Sequence, residues 1–434
     1  MAWRNWAGNL RAEPVRTVAA RDAGEVAAAV RAAADDGLRV RALGSGHSFG
    51  AIGVPDGVAV RAPADPALLR VDADGLASVP AGMTLRVLDE LLWERGRALP
   101  NLGDIDAQTV AGAISTGTHG TGARHGGLAT QVRALELVLA DGSVRTSSPH
   151  ADPELFSAAR VGLGALGVLT TVVLATVPAF HLRAREEALP LDAVLGGLDE
   201  LAEAHDHVEF YWFPHTEIAA TKRNDRADAT GAGAAARGRA ARWLGEEVVA
   251  NGAHAVACRV GAAAPRLVPL INRVAAASMA SAEYVDRSYR VFTSPRRVRF
   301  LEMEYAVPRA ALREAFAGLR RAAERHARDV AFPVEVRLAA ADDIPLSTAS
   351  GRDSAYLAVH VHHAQPTGRY FAEVEAVLAG LDGRPHWGKL HTLDAARLRG
   401  RYPAFDAFTA VRDRVDPDRR FGNPHLERVL GCPP

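Results

Sequence analysis

Residues 42–50 (ALGSGHSFG) place one histidine, His47, at the centre of a glycine-rich turn. The residues LRVRALG alternate polar and apolar types, as a strand does, so the turn follows a strand. Gly44, Gly46 and Gly50 let the backbone come close to a ligand, and successive N–H groups of such a turn bind a diphosphate. His47 is therefore either a buried structural residue or a contact to the cofactor that the turn holds.

The spacing of these glycines differs from the G-x-G-x-x-G fingerprint of nicotinamide dinucleotide sites. The third glycine, Gly50, falls one place late. No βαβ unit with a ribose-binding acid follows about 20 residues further on, where that fingerprint requires one. The sequence therefore argues against a Rossmann domain.

A second segment, residues 101–132, combines many glycines with side-chain hydroxyls. Small residues allow the backbone to approach a polar ligand, and hydroxyls donate to phosphate oxygens or ring heteroatoms. A tight glycine-rich loop with a purely structural role is the alternative, but a second such segment in the same third of the chain favours ligand binding. The hydroxyl residues are Thr109, Ser115, Thr116, Thr118 and Thr121.

Two further motifs bring charged groups into apolar surroundings. Glu335 and Arg337 are two residues apart in FPVEVRL, so on a strand both point to one face. In a cavity this pair suits a polyhydroxylated substrate and the control of charge during its oxidation, and the alternative is a surface or cross-strand ion pair. Lys389 in RPHWGKLH is placed either to stabilise developing negative charge or within a turn with buried aromatic rings.

The histidines near these motifs raise the question of a metal site. HVHH, residues 360–363, divides its histidines between the two faces of a strand, and no acid–histidine helix motif accompanies it. We therefore expect no metal.

The elements that must position these residues form a mixed α and β pattern. A helix is predicted over 22–37, and strands follow over 57–62 and 68–82. Asp141-Gly142 predicts a hairpin turn within 131–148. We expect an α+β fold with a first domain at 1–179, a second domain with an antiparallel sheet at 180–380, and a segment at 381–434 that returns to the first domain.

Length and composition narrow the class of protein. The chain has 434 residues, 48% hydrophobic and 24% charged, as in globular proteins of two domains. Lys plus Arg and Asp plus Glu both number 51, which argues against a nucleic-acid partner. Two cysteines, no signal peptide and no apolar run of about 18 residues predict a cytoplasmic protein without a membrane span.

In their order along the chain, these motifs resemble the aldonolactone oxidoreductases of the vanillyl-alcohol-oxidase flavoprotein superfamily. The resemblance covers nearly the whole chain, and its specificity lies in the combination rather than in any one motif. The stretches WFPHTE and PVEVR with DDI are closer to gulonolactone oxidases. The motifs are GSGHSF, QTVAG, GTHGTG, HGGLATQV, WFPHTE, PVEVR with DDIPLS, RPHWGKLH, YPAF and DPDRRF.

This resemblance implies an FAD-binding first domain of the vanillyl-alcohol-oxidase type and a second domain that caps the substrate. His47 is then the candidate for covalent attachment to the flavin 8α-methyl group. Glu335 is implied as the base, assisted by a water or by His362, with Arg337 and Lys389 stabilising negative charge. Other residues implied to contact FAD are Ser45, Gly46, Ser48, Asp104, Thr109, Val110, Ala111, Gly112, Thr116, Gly117, Thr118, His119 and Val168.

The implied reaction transfers a hydride from a sugar-1,4-lactone to flavin and gives an ascorbate-type ene-diol. Alditol oxidases are also similar, through GSGHSF, TGTHG, the E-x-R pair and PHWGK, so a peroxide-producing polyol oxidase is the alternative. Asp104 stands where alditol oxidase has a substrate-contacting serine, and His362 lies near a threonine contact, which favours a lactone over a linear alditol. A flavin-binding protein without activity is a third hypothesis. The electron acceptor, oxygen or another molecule, stays open.

Overall fold

The structure is a computed structural model. It describes residues 2–227, 256–257, 259–261, 263–279, 281–326, 330–363, 365 and 367–432.

A small parallel sheet begins the fold and carries the glycine turn. Its strands are β3 (Arg16–Ala19), β5 (Val58–Arg61) and β4 (Val40–Ala42), in that order, after a short pair, β1 (Trp3–Arg4) and β2 (Arg11–Ala12). Helix α1 (Ala23–Asp35) begins at Asp22, whose side chain accepts the backbone N–H of Glu25. The glycine turn directly follows β4, so the predicted strand and helix are confirmed.

A five-stranded antiparallel sheet packs behind these elements. Its order is β10, β9, β11, β7, β6. The turn at Asp141-Gly142 joins β9 and β10 as predicted, with Gly142 at φ +76°. The strands are β6 (Arg70–Val71), β7 (Leu76–Pro80), β9 (Val132–Val138), β10 (Val144–Ser147) and β11 (Val168–Ala175). β8 (Arg97–Ala98) pairs separately with β12 (Val177–Pro178).

Three short helices belong to this part of the chain. Thr84 caps helix α2 (Leu85–Glu94), and α3 (Val110–Ser115) follows. Helix α4 (Pro153–Ala159) begins after Asp152.

The described part of the second half is organised around one antiparallel sheet of eight strands. Its order is β16, β13, β15, β14, β18, β19, β17, β20, which confirms the predicted antiparallel sheet. The strands are β13 (His181–Pro190), β14 (His207–Trp212), β15 (Ile218–Ala227), β16 (Ala282–Arg287), β17 (Phe300–Pro308), β18 (Val334–Ala339), β19 (Ser354–His362) and β20 (Arg384–Pro385).

Helices cover one face of this sheet. Helix α9 (Leu312–Arg325) buries Phe316, whose ring lies 5.4 Å from that of Trp212 and 5.9 Å from that of Phe210. Side chains alternate between the two faces along a strand. The residues that directly precede Phe210 and Trp212 on β14 therefore point to the opposite face of the sheet. The other helices in this part of the chain are α5 (Leu191–Gly196), α6 (Leu198–Ala204), α7 (Val268–Ala277), α8 (Ser288–Phe292) and α10 (Gly368–Gly380).

The C-terminal segment touches both parts of the molecule. β20 pairs with β17 at the edge of the large sheet. Helices α11 (Ala395–Arg399), α12 (Phe405–Val415) and α13 (Pro424–Leu430) follow. Asn423 donates its side-chain amide to the carbonyl oxygens of Ala51 and Val54, at 3.1 and 3.0 Å, beside the glycine turn. No described helix has both the length and the apolar character needed to cross a bilayer.

Candidate active site

The glycine turn opens onto a cavity whose empty space, part of it open to solvent, is about 950 Å³. The two glycine-rich segments predicted from the sequence meet here, because a Cβ at Gly44 would lie only 2.7 Å from Thr109 Oγ1. Gly46 has φ +74°, a conformation that favours glycine. Of the residues implied to contact FAD, those in the lining are Ser45, Gly46, His47, Ser48, Thr109, Ala111, Gly112 and Thr116.

The lining of the cavity suits a diphosphate-containing ligand. Its walls are largely glycine and small residues, so backbone N–H groups are accessible to a diphosphate. Thr109 caps α3 by accepting the N–H of Gly112 at 3.1 Å, and a Cβ at Gly112 would lie 2.9 Å from the same hydroxyl. A Cβ at Gly44 or at Gly112 would therefore lie too close to the Thr109 hydroxyl, which favours glycine at both positions.

His47 lines this cavity and is not a fully buried structural residue. Its ring stacks on that of Trp6, with centroids 5.5 Å apart and planes 23° apart. Burial and then the charge of Lys389 lower its pKa, which keeps the imidazole neutral at pH 7. A neutral ring nitrogen is the form that can attack an electrophilic carbon.

Glu335 and Arg337 lie on the face of the large sheet opposite helix α9. Arg337 Nη2 is 2.5 Å from Glu335 Oε1, and its Nε donates to Glu209 Oε2 at 2.8 Å. Tyr211 donates its hydroxyl to Glu335 Oε1 at 2.7 Å. β14 and β18 are in register, with Glu209 opposite Arg337 and Tyr211 opposite Glu335, so the four side chains share one face. The pair is buried, and the surface alternative is wrong.

Asp104 lies beside this group rather than in the lining of the glycine cavity. Its carboxylate forms an ion pair with Arg296 and lies 3.5 Å from Arg337 Nη2. Burial raises its pKa, but the charges of Arg296, Arg337 and Lys389 outweigh burial and lower the pKa to about 2. Asp104 is therefore an anion that links the first part of the chain to the sheet.

Lys389 connects the glycine turn to the polar sheet face. The backbone N–H of Phe49 donates to Gly388 O at 2.7 Å, and Lys389 Nζ lies 5.3 Å from the centre of the Phe49 ring. On its other side Nζ forms an ion pair with Glu302 of β17. Burial lowers the pKa of Lys389, but Glu302 and Glu304 outweigh it and raise the pKa. The ammonium group therefore stays charged.

The two histidines of β19 differ in their position. His360 Nε2 lies 3.4 Å from Glu302 Oε1. One side-chain nitrogen or oxygen atom from each of Glu302, Glu335 and His360 lies within 4.8 Å of the other two. His362 lies opposite Phe300, further along the strand, with its ring 4.6 Å from that of His363. The structure thus brings His360 to Glu335, while the implied role of His362 stays a prediction.

His119 lies in the contact between the glycine-rich segment and the sheet. Its Nε2 is 3.2 Å from Glu304 Oε1, and its ring stacks on Tyr356 at 3.6 Å. A second group of this kind consists of His119, Glu304 and His386, whose side-chain nitrogen and oxygen atoms also lie within 4.8 Å of one another. The remaining implied FAD contacts lie outside the cavity lining, and they are Val110, Gly117, Thr118 and Val168.

Sequence reasoning missed several charged or polar residues of the sheet face. The signal that marks them is the one that identified Glu335 and Arg337, namely polar residues two apart in an otherwise apolar strand. VEFYW and FLEMEYAVP both show it. The missed residues are Glu209, Tyr211, Glu302, Glu304 and His360, together with Arg296, which follows no strand pattern.

Comparison with known proteins identifies the family. A family model described as D-arabinono-1,4-lactone oxidase matches residues 172–429, and one described as an FAD binding domain matches 14–148. The chain is 42% identical over 430 residues to an L-gulono-1,4-lactone dehydrogenase of Mycobacterium tuberculosis, covering 99% of each. It is 33% identical to an L-gulonolactone oxidase of Mus musculus, covering 99% of this chain and 98% of the other.

Solved structures agree on the fold. A cholesterol oxidase from Brevibacterium sterolicum superposes with a TM-score of 0.83 over 99% of this chain and 96% of the other, at 17% identity. The fold class and FAD-linked enzyme class predicted from the sequence are confirmed. The chain belongs to the D-arabinono-1,4-lactone oxidase family of FAD-linked oxidoreductases.

Proposed function

We propose that this protein oxidises a sugar-1,4-lactone, such as L-gulono-1,4-lactone, at a secondary hydroxyl and yields an ascorbate-type ene-diol. The observation that carries the proposal is the position of Lys389, which contacts the glycine turn through Phe49 and the polar sheet face through Glu302. The proposed cofactor site at the glycine turn therefore lies next to the buried acids and bases of the sheet face. The names of the two relatives support the lactone as the substrate class.

The side chains divide the chemistry between them. FAD, when bound, accepts the hydride from the carbon that carries the hydroxyl. Glu335 takes the hydroxyl proton, since burial, opposed by Arg337, raises its pKa above that of an ordinary glutamate. Arg337 and Lys389 stabilise the negative charge that develops on the substrate oxygen. His360 is nearer to Glu335 than the predicted His362 and is the better placed of the two to assist.

Three finer features belong to the same proposal. The turn at His47 is proposed to hold FAD covalently, because the neutral ring lines the cavity. Oxygen or another molecule reoxidises the flavin. The protein is expected in the cytoplasm, on the basis of its two cysteines.

The function is tested by following product and electron acceptor together. Purified holoenzyme is given L-gulono-1,4-lactone, D-arabinono-1,4-lactone or xylitol, with a reducible dye in place of oxygen. We expect dye reduction with a lactone and one ene-diol formed per two electrons. Turnover with xylitol alone would favour the polyol oxidase, and no turnover with any sugar would favour a binding protein without activity.

The close contact between the two glycine-rich segments gives a prediction about FAD content. Gly44→Ala is expected to lower the flavin-to-protein ratio several-fold, because the added methyl group would lie 2.7 Å from Thr109 Oγ1 and force the segments apart. The ratio of visible to 280 nm absorbance measures it. Gly380→Ala, where a Cβ would meet nothing within 4 Å, is the matched control. Equal flavin content in the wild type and in both variants would contradict the proposed role of this contact in FAD binding.

A further inference from the structure

The proposed base Glu335 has its two side-chain oxygens in different situations. Among the described residues, Tyr211 donates to Oε1 at 2.7 Å, and Arg337 Nη2 forms an ion pair with the same oxygen at 2.5 Å. A carboxylate oxygen that accepts a hydrogen bond and pairs with a cation is a poorer proton acceptor than one that does neither. The second oxygen, Oε2, is therefore the one that can take a proton from a substrate hydroxyl.

Tyr211 is able to hold this arrangement because its hydroxyl stays protonated. Burial, followed by the charges of Glu209 and Glu335, raises the pKa of Tyr211 well above its usual range. The side chain of Tyr211 is positioned by β14, which pairs with β18. On the same strand, the carboxylate of Glu209 accepts a hydrogen bond from Arg337 Nε at 2.8 Å. One strand thus orients both members of the Glu335–Arg337 pair.

We propose that Tyr211 and Glu209 are positioning residues that direct Oε2 of Glu335 toward the substrate and set its basicity in opposite senses. The proposal rests on the proposed function, in which Glu335 is the base. Tyr211 donates to the ionised form of Glu335 and favours it, whereas the negative charge of Glu209 opposes ionisation.

Other charged groups around Glu335 set the background against which these two act. Arg337 on the same strand favours ionisation, and Asp104 opposes it. Neither residue is substituted in the variants described next, so the two changes can be compared. The groups that face Glu335 are Glu209 and Tyr211 on β14, Arg337 on β18, His360 on β19, Glu302 on β17, Asp104 and Arg296 on their loops, and Lys389 after β20.

The test measures the pH dependence of flavin reduction by L-gulono-1,4-lactone in anaerobic stopped flow, with the holoenzyme. Tyr211→Phe is expected to move the acid limb of the rate to higher pH by about one unit, because one hydrogen bond to a charged group is lost. The limiting rate falls by about tenfold, with the half-saturating lactone concentration unchanged. Glu209→Gln is expected to move the acid limb to lower pH by about half a unit.

Tyr305→Phe is the matched control. Tyr305 also donates to a buried carboxylate, Glu375 Oε1 at 2.5 Å, but on the helix-covered side of the sheet. It loses the same kind of bond, so its pH profile is expected to equal that of the wild type. Thermal unfolding of each variant separates a loss of fold from a change in the site.

Each outcome decides the matter. An unmoved acid limb in Tyr211→Phe, or a shift of the same sign in both variants, would overturn the inference while leaving the lactone activity standing. If Tyr211→Phe does not fold, the direction of the shift in Glu209→Gln decides alone. Failure of the wild-type flavin to be reduced by any lactone would instead overturn the proposed function, and this inference with it.

Discussion

Glu335→Gln is expected to slow flavin reduction by L-gulono-1,4-lactone by about 10²- to 10⁴-fold, the range that a general base contributes. Glutamine keeps the size of the side chain and an oxygen that accepts from Tyr211, so packing and flavin content are retained. What is lost is the group that takes the hydroxyl proton. Anaerobic stopped flow at saturating lactone measures the rate directly.

The pH dependence of the wild type follows from the same assignment. Burial raises the pKa of Glu335, and Arg337 opposes this rise only in part. Only the ionised form accepts a proton, so the rate rises with pH through this pKa, which lies above that of an ordinary glutamate. The residual rate of Glu335→Gln has no such limb.

Glu283→Gln is the control for the loss of one glutamate charge. Glu283 forms ion pairs with Arg183 and Arg185 on the exposed surface of β16. Such surface pairs contribute about 1 kcal/mol or less, so this variant is expected to reduce its flavin at the wild-type rate. A rate for Glu335→Gln within threefold of wild type would contradict the assignment of the base.

His47→Ala is expected to release essentially all FAD from acid-precipitated protein, whereas the wild-type pellet stays yellow. Acid unfolds the protein and ends every non-covalent contact, so only a covalent bond retains the flavin in the pellet. The absorbance of the supernatant at the flavin maximum measures the fraction released. His150→Ala, at an exposed position, controls for the loss of a histidine and is expected to keep a yellow pellet.

Two results would contradict the tether. A colourless wild-type pellet would show that no bond forms. A yellow pellet from His47→Ala would show that the bond forms at another residue. Neither result would affect the lactone activity, because the glycine turn can hold the diphosphate without a covalent bond.

Local patterns were enough to predict the strand and glycine turn at His47 and the pairing of Glu335 with Arg337. Each depends on a few consecutive residues, through strand alternation or the conformational freedom of glycine. The same alternation places Glu209 and Tyr211 on one face of β14. It does not say which strand lies beside them, because register depends on the packing of the whole sheet.

Contacts between distant parts of the chain were beyond such reasoning. Asp104 and Arg296 are 192 residues apart in the sequence, and they form their ion pair only in the folded chain. Likewise, both His360 and His362 lie on β19, but only the register opposite Glu302 shows that His360 is the histidine near Glu335. Family resemblance supplied the cofactor and reaction class that these local patterns lacked.

The most direct measurement is the bleaching of the oxidised flavin of purified wild-type protein by stoichiometric sugar lactone in the absence of oxygen. We expect loss of the visible flavin bands with L-gulono-1,4-lactone or D-arabinono-1,4-lactone, and much slower loss with xylitol. Flavin that stays oxidised with every lactone, or that is bleached faster by the polyol, would contradict the proposed function.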